Sequence, residues 1–383
     1  MITKHWAAKF AIVAGLCLIS SILALWAWNI YQDRASPPLS FDGNSDELQQ
    51  TIVVPTLDTP IPEGKSAIWC ASFQLAWNQL RSLAGSEPLK IQGAEAIADQ
   101  LNNAEVSEDD LSPEIYYAAA GLARDGIAET IQREMARKFG KVRLPEFGNL
   151  IDVIAIAYAF LQAEIKFDHP FFENHDPFAF EDTHGSRISV SSFGINQYVP
   201  APKIREQVEI LYSSNPFMDE DVPLEYALDA CKKSSPNQVV LAYIPKKESL
   251  KKILQDLDTK MAQYPPQNRP KSRSLQGLSR TDGFLVPNMH FRIIHQFQEL
   301  EGSEKPIINT QFAGAYIGHA SEIIQFKLDR SGVSLTSESK ILVKMGPRDF
   351  NFNRPFLLYM KKRGAKHPFF VMWVDNAELL IKN

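Results

Sequence analysis

The chain has 383 residues, 45% hydrophobic and 22% charged, values that set aside collagen-like and wholly disordered proteins. Its net charge of −5 offers no concentrated basic face, so nucleic acid is not expected as a partner. The three cysteines, Cys17, Cys70 and Cys231, show no CxxC spacing, which excludes a redox dithiol or a cysteine-built zinc centre.

Residues 10–28 carry no ionisable group and match the thickness of a bilayer core as a helix. Lys4 and Lys9 precede the run, while Asp33 and Arg34 nearly cancel after it, so the positive-inside bias keeps the N-terminus cytoplasmic. Trp6, Trp26, Trp28 and Tyr31 fall where interfacial aromatics anchor such a helix. A cleaved signal peptide, leaving a secreted protein, needs small residues at its cleavage site, and the flank WAWNIYQDRAS does not supply them. The expectation is a signal anchor over 1–31, a proline-containing linker over 32–66, and a folded domain over 67–383 outside the cytoplasm.

In the folded part, Trp69, Phe73, Trp77 and Leu80 recur at spacings of three and four, one buried helical stripe. Residues 107–110 open a second helical region, with Ser112-Pro113-Glu114 as a start signal. The run LIDVIAIAYAFLQA over 150–163 is too short to span a membrane and predicts a strand buried on both faces. Beyond Phe167 the pattern is mainly β, with strands over 238–244, 283–290, 292–296 and 322–328, and a helix over 248–257. Helices first and strands later, without a βαβ rhythm, predict an α+β fold. Cys70 and Cys231 are either paired in an oxidising compartment or two separate buried thiols; spacing leaves both open.

Signatures of chemistry are missing. The chain has no GxSxG, HExxH, GxGxxG or phosphate-loop motif, so hydrolase activity lacks a nucleophile–base pair, and neither cofactor nor metal is expected. His169, His175, Asp176, Glu181, Asp182 and His184 are dense, but no spacing makes them converge, and they read as a polar connection. Arg269, Lys271, Arg273 and Arg280 read as a solvated basic loop in preference to an anion site.

The most specific stretch is the last. Residues 356–360 and 369–374 form two nearly continuous apolar strands around an exposed turn at 361–366 that contains Gly364, a hairpin buried on both faces. With its entry Phe352-Asn353-Arg354-Pro355-Phe356, this segment closely resembles the C-terminal end of the serpins. Three more stretches resemble serpin strands in the right order: 150–171, closing on Pro170-Phe171; 239–257, a strand ending in proline before a helix; and 284–294, FLVPNMHFRII. The resemblance implies a large mixed β-sheet with helices packed on it and the hairpin in a second sheet. It also departs from the family. Phe167 stands where serpins commonly carry tryptophan, Glu322 where they carry histidine, and Trp373 near a usual glycine, while the early helical part is short.

In serpins the segment before the Phe352 motif is a reactive loop, cut by a protease and then inserted into the large sheet. Here that loop is about 333–349, with hinge positions Gly332, Val333, Leu335, Ser337 and Ser339. Val333, Leu335, Ser337, Ser339, Ile341 and Val343 alternate with a set bearing Glu338, Lys340 and Lys344, so one face suits burial. Family spacing puts the cut near Gly346-Pro347, a poor substrate bond, which makes Lys344 and Met345 the better targets. Leu335 and Glu338 break the small-residue hinge of efficient inhibitors. The resemblance therefore implies either an inhibitor of a serine or cysteine protease or a non-inhibitory module binding a protein or small ligand. As an alternative, 333–343 is an ordinary amphipathic strand already in the sheet.

Overall fold

The computed structural model describes residues 38–140, 145–151, 153–163, 165–197, 199–214, 224–233, 236–263, 277–330 and 348–383. The described chain begins with β1 (Phe41–Asn44) and β2 (Thr51–Val53), and then β3 (Ser66–Cys70) runs directly into helix α1 (Ala71–Leu83). Helix α2 (Glu95–Asn102), β4 (Tyr116–Leu122), helix α3 (Ile127–Phe139) and β5 (Ala155–Leu161) follow. Next come β6 (Phe172–Asn174), β7 (Ala179–Glu181), β8 (Arg187–Ser189), β9 (Ser192–Ile195) and the short helix α4 (Pro202–Glu206). Three strands, β10 (Glu209–Ser213), β11 (Tyr226–Asp229) and β12 (Asn237–Tyr243), lead to helix α5 (Leu250–Gln263). The chain ends with β13 (Gly283–Pro287), β14 (Met289–Gln296), β15 (Ser321–Leu328), β16 (Asp349–Asn351), β17 (Phe356–Lys362) and β18 (Phe370–Val374).

The C-terminal hairpin lies inside a seven-stranded sheet of order β10-β11-β12-β17-β18-β3-β2. Its uninterrupted apolar strands are buried on both faces because β12 flanks one side, β3 the other, and helices and further sheets cover the faces. Trp373, opposite Ala67, is one of the largest fully buried side chains. Gly364 takes φ +80° in the turn, a conformation that costs glycine little. A four-stranded sheet, β16-β13-β9-β6, and a three-stranded one, β1-β14-β15, pack against the same core, while β4 and β5 form a two-stranded sheet of their own.

Several expectations are corrected. The stretch 41–53, read as part of a spacer, forms β1 beside β14 and β2 beside β3, since Val53, Val54 and Ile61 bury apolar surface around prolines that only shape the turns. The helical region expected from 107 shrinks to the 3-10 turns Glu108–Asp110 and Pro113–Ile115, after which the alanine-rich 116–122 is a strand. Seven register pairs with β5 outweigh alanine's helical preference there. β5 itself is only half-buried, because β4 is its one strand partner among the described residues. Cys70 and Cys231 are both buried, and no disulfide joins them.

The single-pass membrane placement, with membrane as a partner, is also corrected. Among the described residues no helix is long and apolar enough to cross a bilayer, and the 10–28 stretch that suggested it lies outside them.

Candidate functional site: a seam between two sheets

Helix α1 supports two sheets at once. The buried α1 residue Trp77 shares a cluster with Phe297 and Ala320, which flank the β14–β15 pair, and Leu122 and Ala155 pack against it from β4 and β5. Further along, Ala159 and Leu161 of β5 pack on the core that contains Ile324, Phe326 and Leu328 of β15. Beyond the strand ends, the Phe171 N–H donates to the Arg330 carbonyl at 3.1 Å. β5 and β15 both pack on α1, and the chain beyond β5 meets the chain beyond β15 at this Phe171–Arg330 contact. Among the described residues β5 pairs only with β4, and β15 only with β14.

At the near end, β15 is fixed by Glu322. Its register with Ile324, Phe326 and Leu328 turns it inward, and it is 6% exposed. The Ser72 hydroxyl donates to Glu322 Oε1 at 2.5 Å and the Phe73 N–H at 3.2 Å, both from the first turn of α1. Burial pushes the carboxyl up to about 7, with hydrogen bonds from Ser72, Phe73 and Cys70 pulling the other way. Cys70, at the end of β3, lies against Ser72 at 3.2 Å, and burial pushes its thiol up to about 12. His295 is the cross-strand partner of Glu322, and its Nδ1 contacts Ser45 Oγ at 2.7 Å.

The chain re-enters the described structure at Arg348, which is anchored deeply. Its Nε and Nη2 donate to Asp282 Oδ2 at 3.1 and 2.5 Å, and its backbone N–H donates to Oδ1. Arg205 adds a second guanidinium, donating to the Asp282 and Ser279 carbonyls. Burial lowers its pKa to about 10, and Asp282 opposes that shift. β16 then pairs in parallel with β13.

The sequence-predicted positions Gly332, Val333, Leu335, Ser337, Ser339, Lys344, Met345 and Gly346 lie outside the described residues. The His169–His184 group does not converge: Asp182 accepts from the His184 and Ser186 N–H groups, Glu181 pairs with Arg187, and the His169 backbone exchanges hydrogen bonds with Gln207. Of the basic loop only Arg280 is described, and it is exposed. Sequence reasoning noted Glu322 as a departure without seeing its burial. The signal was there, since period-two alternation puts it on the face of three apolar residues. The Asp282–Arg348–Arg205 cluster had no local signal.

No protein-family model and no curated protein matches the chain. Among solved structures it is similar to glycosylated human kallistatin, at 13% identity and TM-score 0.44, over 82% of this chain and 92% of that one. It is also similar to thyroxine-binding globulin in complex with thyroxine, at 10% identity and TM-score 0.43, over 84% and 94% of the two chains. A third is Serpin48, a serpin of the insect Tenebrio molitor, at 13% identity and TM-score 0.40, over 81% and 92%. Within the present chain, the hairpin lies beside β12, the strand followed by Pro245, and β13 leads through Pro287 into β14, as the four stretches led one to expect. The chain's own fold is α+β, with mixed sheets and helices packed on them. Residues 331–347 lie outside the described residues, and Arg330 is the last described residue before them.

Proposed function

We propose that the protein acts by binding proteases, presenting 333–349 as bait and inserting 333–343 between β5 and β15 once that bait is cut. What supports this reading is that β5 and β15, each paired along one edge among the described residues, both pack on α1, with Arg330, the last described residue before the loop, bonded to Phe171. A segment that turns back after β15 runs antiparallel to it, the arrangement with the better hydrogen-bond geometry. Val333, Leu335, Ile341 and Val343 would enter the core side, each contributing about 1.5–3 kcal/mol.

In the reaction, a protease serine or cysteine attacks the carbonyl carbon of Lys344 or Met345. The peptide C–N bond breaks, the amine takes a proton, and the acyl-enzyme is carried along by the inserting strand. Leu335 and Glu338 in the hinge favour the second reading, a binding module that is cleaved without trapping.

The test is to incubate the full chain with trypsin-, chymotrypsin- and papain-like proteases. Trapping gives a detergent-resistant complex and a cleaved form whose melting point rises by roughly 10 °C or more, and Val333→Arg abolishes both. Cleavage with neither complex nor thermal gain leaves only the binding module.

A further inference from the structure

Between β14 and β15 the chain makes an excursion over residues 297–320 that folds back on itself. The Phe297 N–H donates to the Ala320 carbonyl at 2.8 Å, the Gly302 N–H to the Ile317 carbonyl at 3.0 Å, and the Ile307 N–H to the Ala315 carbonyl at 2.7 Å. Phe297, Leu300, Ile307 and Phe312 are buried with Trp77 of α1, so the excursion rests on a core of its own. The fold-back brings three side chains together. The Ser321 hydroxyl lies 2.8 Å from His319 Nε2, and His319 Nδ1 lies 3.4 Å from Glu301 Oε1. Glu301 is itself held, with Oε1 accepting from the Ala320 N–H and Oε2 from the Gln296 amide, each at 2.6 Å. Its side chain is 13% exposed, whereas that of His319 is 67% exposed and open to a reactant.

We propose that Ser321, His319 and Glu301 form an acyl-transfer site that takes activated esters with an apolar acyl chain. The three stand in the order nucleophile, base and orienting carboxylate. Glu301 beside Nδ1 favours the tautomer that carries its proton there, which leaves Nε2 to accept from Ser321 Oγ. Ser321 opens β15 on its outer face, the face opposite Glu322. Ile323, 60% exposed, is the next residue on that face, and its cross-strand partner Ile294 is half-buried. Together they offer an apolar surface beside the hydroxyl for the acyl chain. A site this open to water stabilises a developing oxyanion weakly, which restricts it to esters whose leaving group departs readily, such as aryl esters. The site does not draw on residues 333–349 and goes beyond the protease-binding reading.

In the reaction, Ser321 Oγ attacks the ester carbonyl carbon as His319 Nε2 takes the hydroxyl proton. The bond from that carbon to the leaving oxygen breaks, and His319 returns the proton to the departing phenol. Water then attacks the acyl-serine, giving a proton to His319. The serine oxygen leaves and takes that proton back, and the carboxylic acid is released. Glu301 is a positioning residue, since it acts through His319.

The experiment treats the full chain with an alkyl fluorophosphonate, which bonds phosphorus to an activated serine oxygen with loss of fluoride, and maps the adduct by peptide mass spectrometry. Hydrolysis of p-nitrophenyl butyrate is followed in parallel. A single adduct on Ser321 is expected. Ser321→Ala loses both adduct and turnover, His319→Gln slows labelling about 100-fold or more, and Ser186→Ala, at another exposed serine, changes neither. Ser321 and His319 are exposed, so replacing them leaves the core intact. Glu301→Gln keeps an acceptor for the Ala320 N–H and is expected to lower kcat with KM unchanged. Ile323→Asn reduces the preference for the butyrate over the acetate ester by about 4-fold. Labelling spread evenly over exposed serines, or a Ser321 adduct formed at the wild-type rate in His319→Gln, overturns the site.

Discussion

Replacing Gly194 with alanine is expected to lower stability by about 4 kcal/mol or more, or to abolish soluble expression. Gly194 adopts φ +153°, and a Cβ built there lies 1.8 Å from the Phe284 carbonyl oxygen and 2.8 Å from its carbon. Those atoms belong to the backbone of β13, whose Leu285 is the register partner of Gly194, so no side chain can swing aside. The relief open to the variant is to part β9 from β13. That separates Phe193 and Phe284, both of which contact the ring of Phe171, and it loosens β16, which depends on β13 for pairing. Gly318 provides the control, because a Cβ there meets nothing within 4 Å. Gly318→Ala should stay within about 0.5 kcal/mol of the wild type. Urea denaturation midpoints decide the matter, and equal midpoints for the two variants would mean that the close approach is not structural.

Asp282→Ala should cost about 3–5 kcal/mol, because it strands buried cations after removing their counter-charge. Arg348 and Arg205 are 6% and 4% exposed, and the Asp282 carboxylate accepts from both the side chain and the backbone of Arg348. The carboxylate also accepts from the Ser279 N–H at 2.7 Å, so its loss frees the turn that enters β13. Asp282→Asn keeps acceptor capacity without the charge, and roughly half the cost is expected. High salt should restore little, since screening reaches buried pairs poorly. The local consequence is as telling as the global one. With Arg348 released, exchange in 349–351 should accelerate more than exchange in 370–374. An Asp282→Ala variant within about 1 kcal/mol of the wild type would show that the cluster does not hold the returning chain.

How much was legible beforehand depended on how local each signal was. The hairpin of 356–374 was clear because its strands lack polar alternation and its turn carries Gly364, so burial on both faces was written into a span of twenty residues. Helix α5 was equally clear from leucine and isoleucine at helical spacing; it runs on to Gln263. The alanine run of 116–122 misled, because its backbone partner lies some forty residues away and contributes nothing to local propensity. The proline-containing stretch before Ala67 misled for the same reason: β1 and β2 exist only because β14 and β3 offer them edges.

The order of residues alone therefore determined the serpin-like closing hairpin, the proline-ended strand before α5, and the alternating polarity of 333–343. Each depends on neighbours within a few turns or strand positions. Tertiary structure decided where Glu322 lost its water, and how Asp282 came to face Arg348 across 65 intervening residues. The physical reason is that hydration and pairing depend on what surrounds a group in space. For Glu322 and Asp282 those surroundings come from parts of the chain far away in sequence.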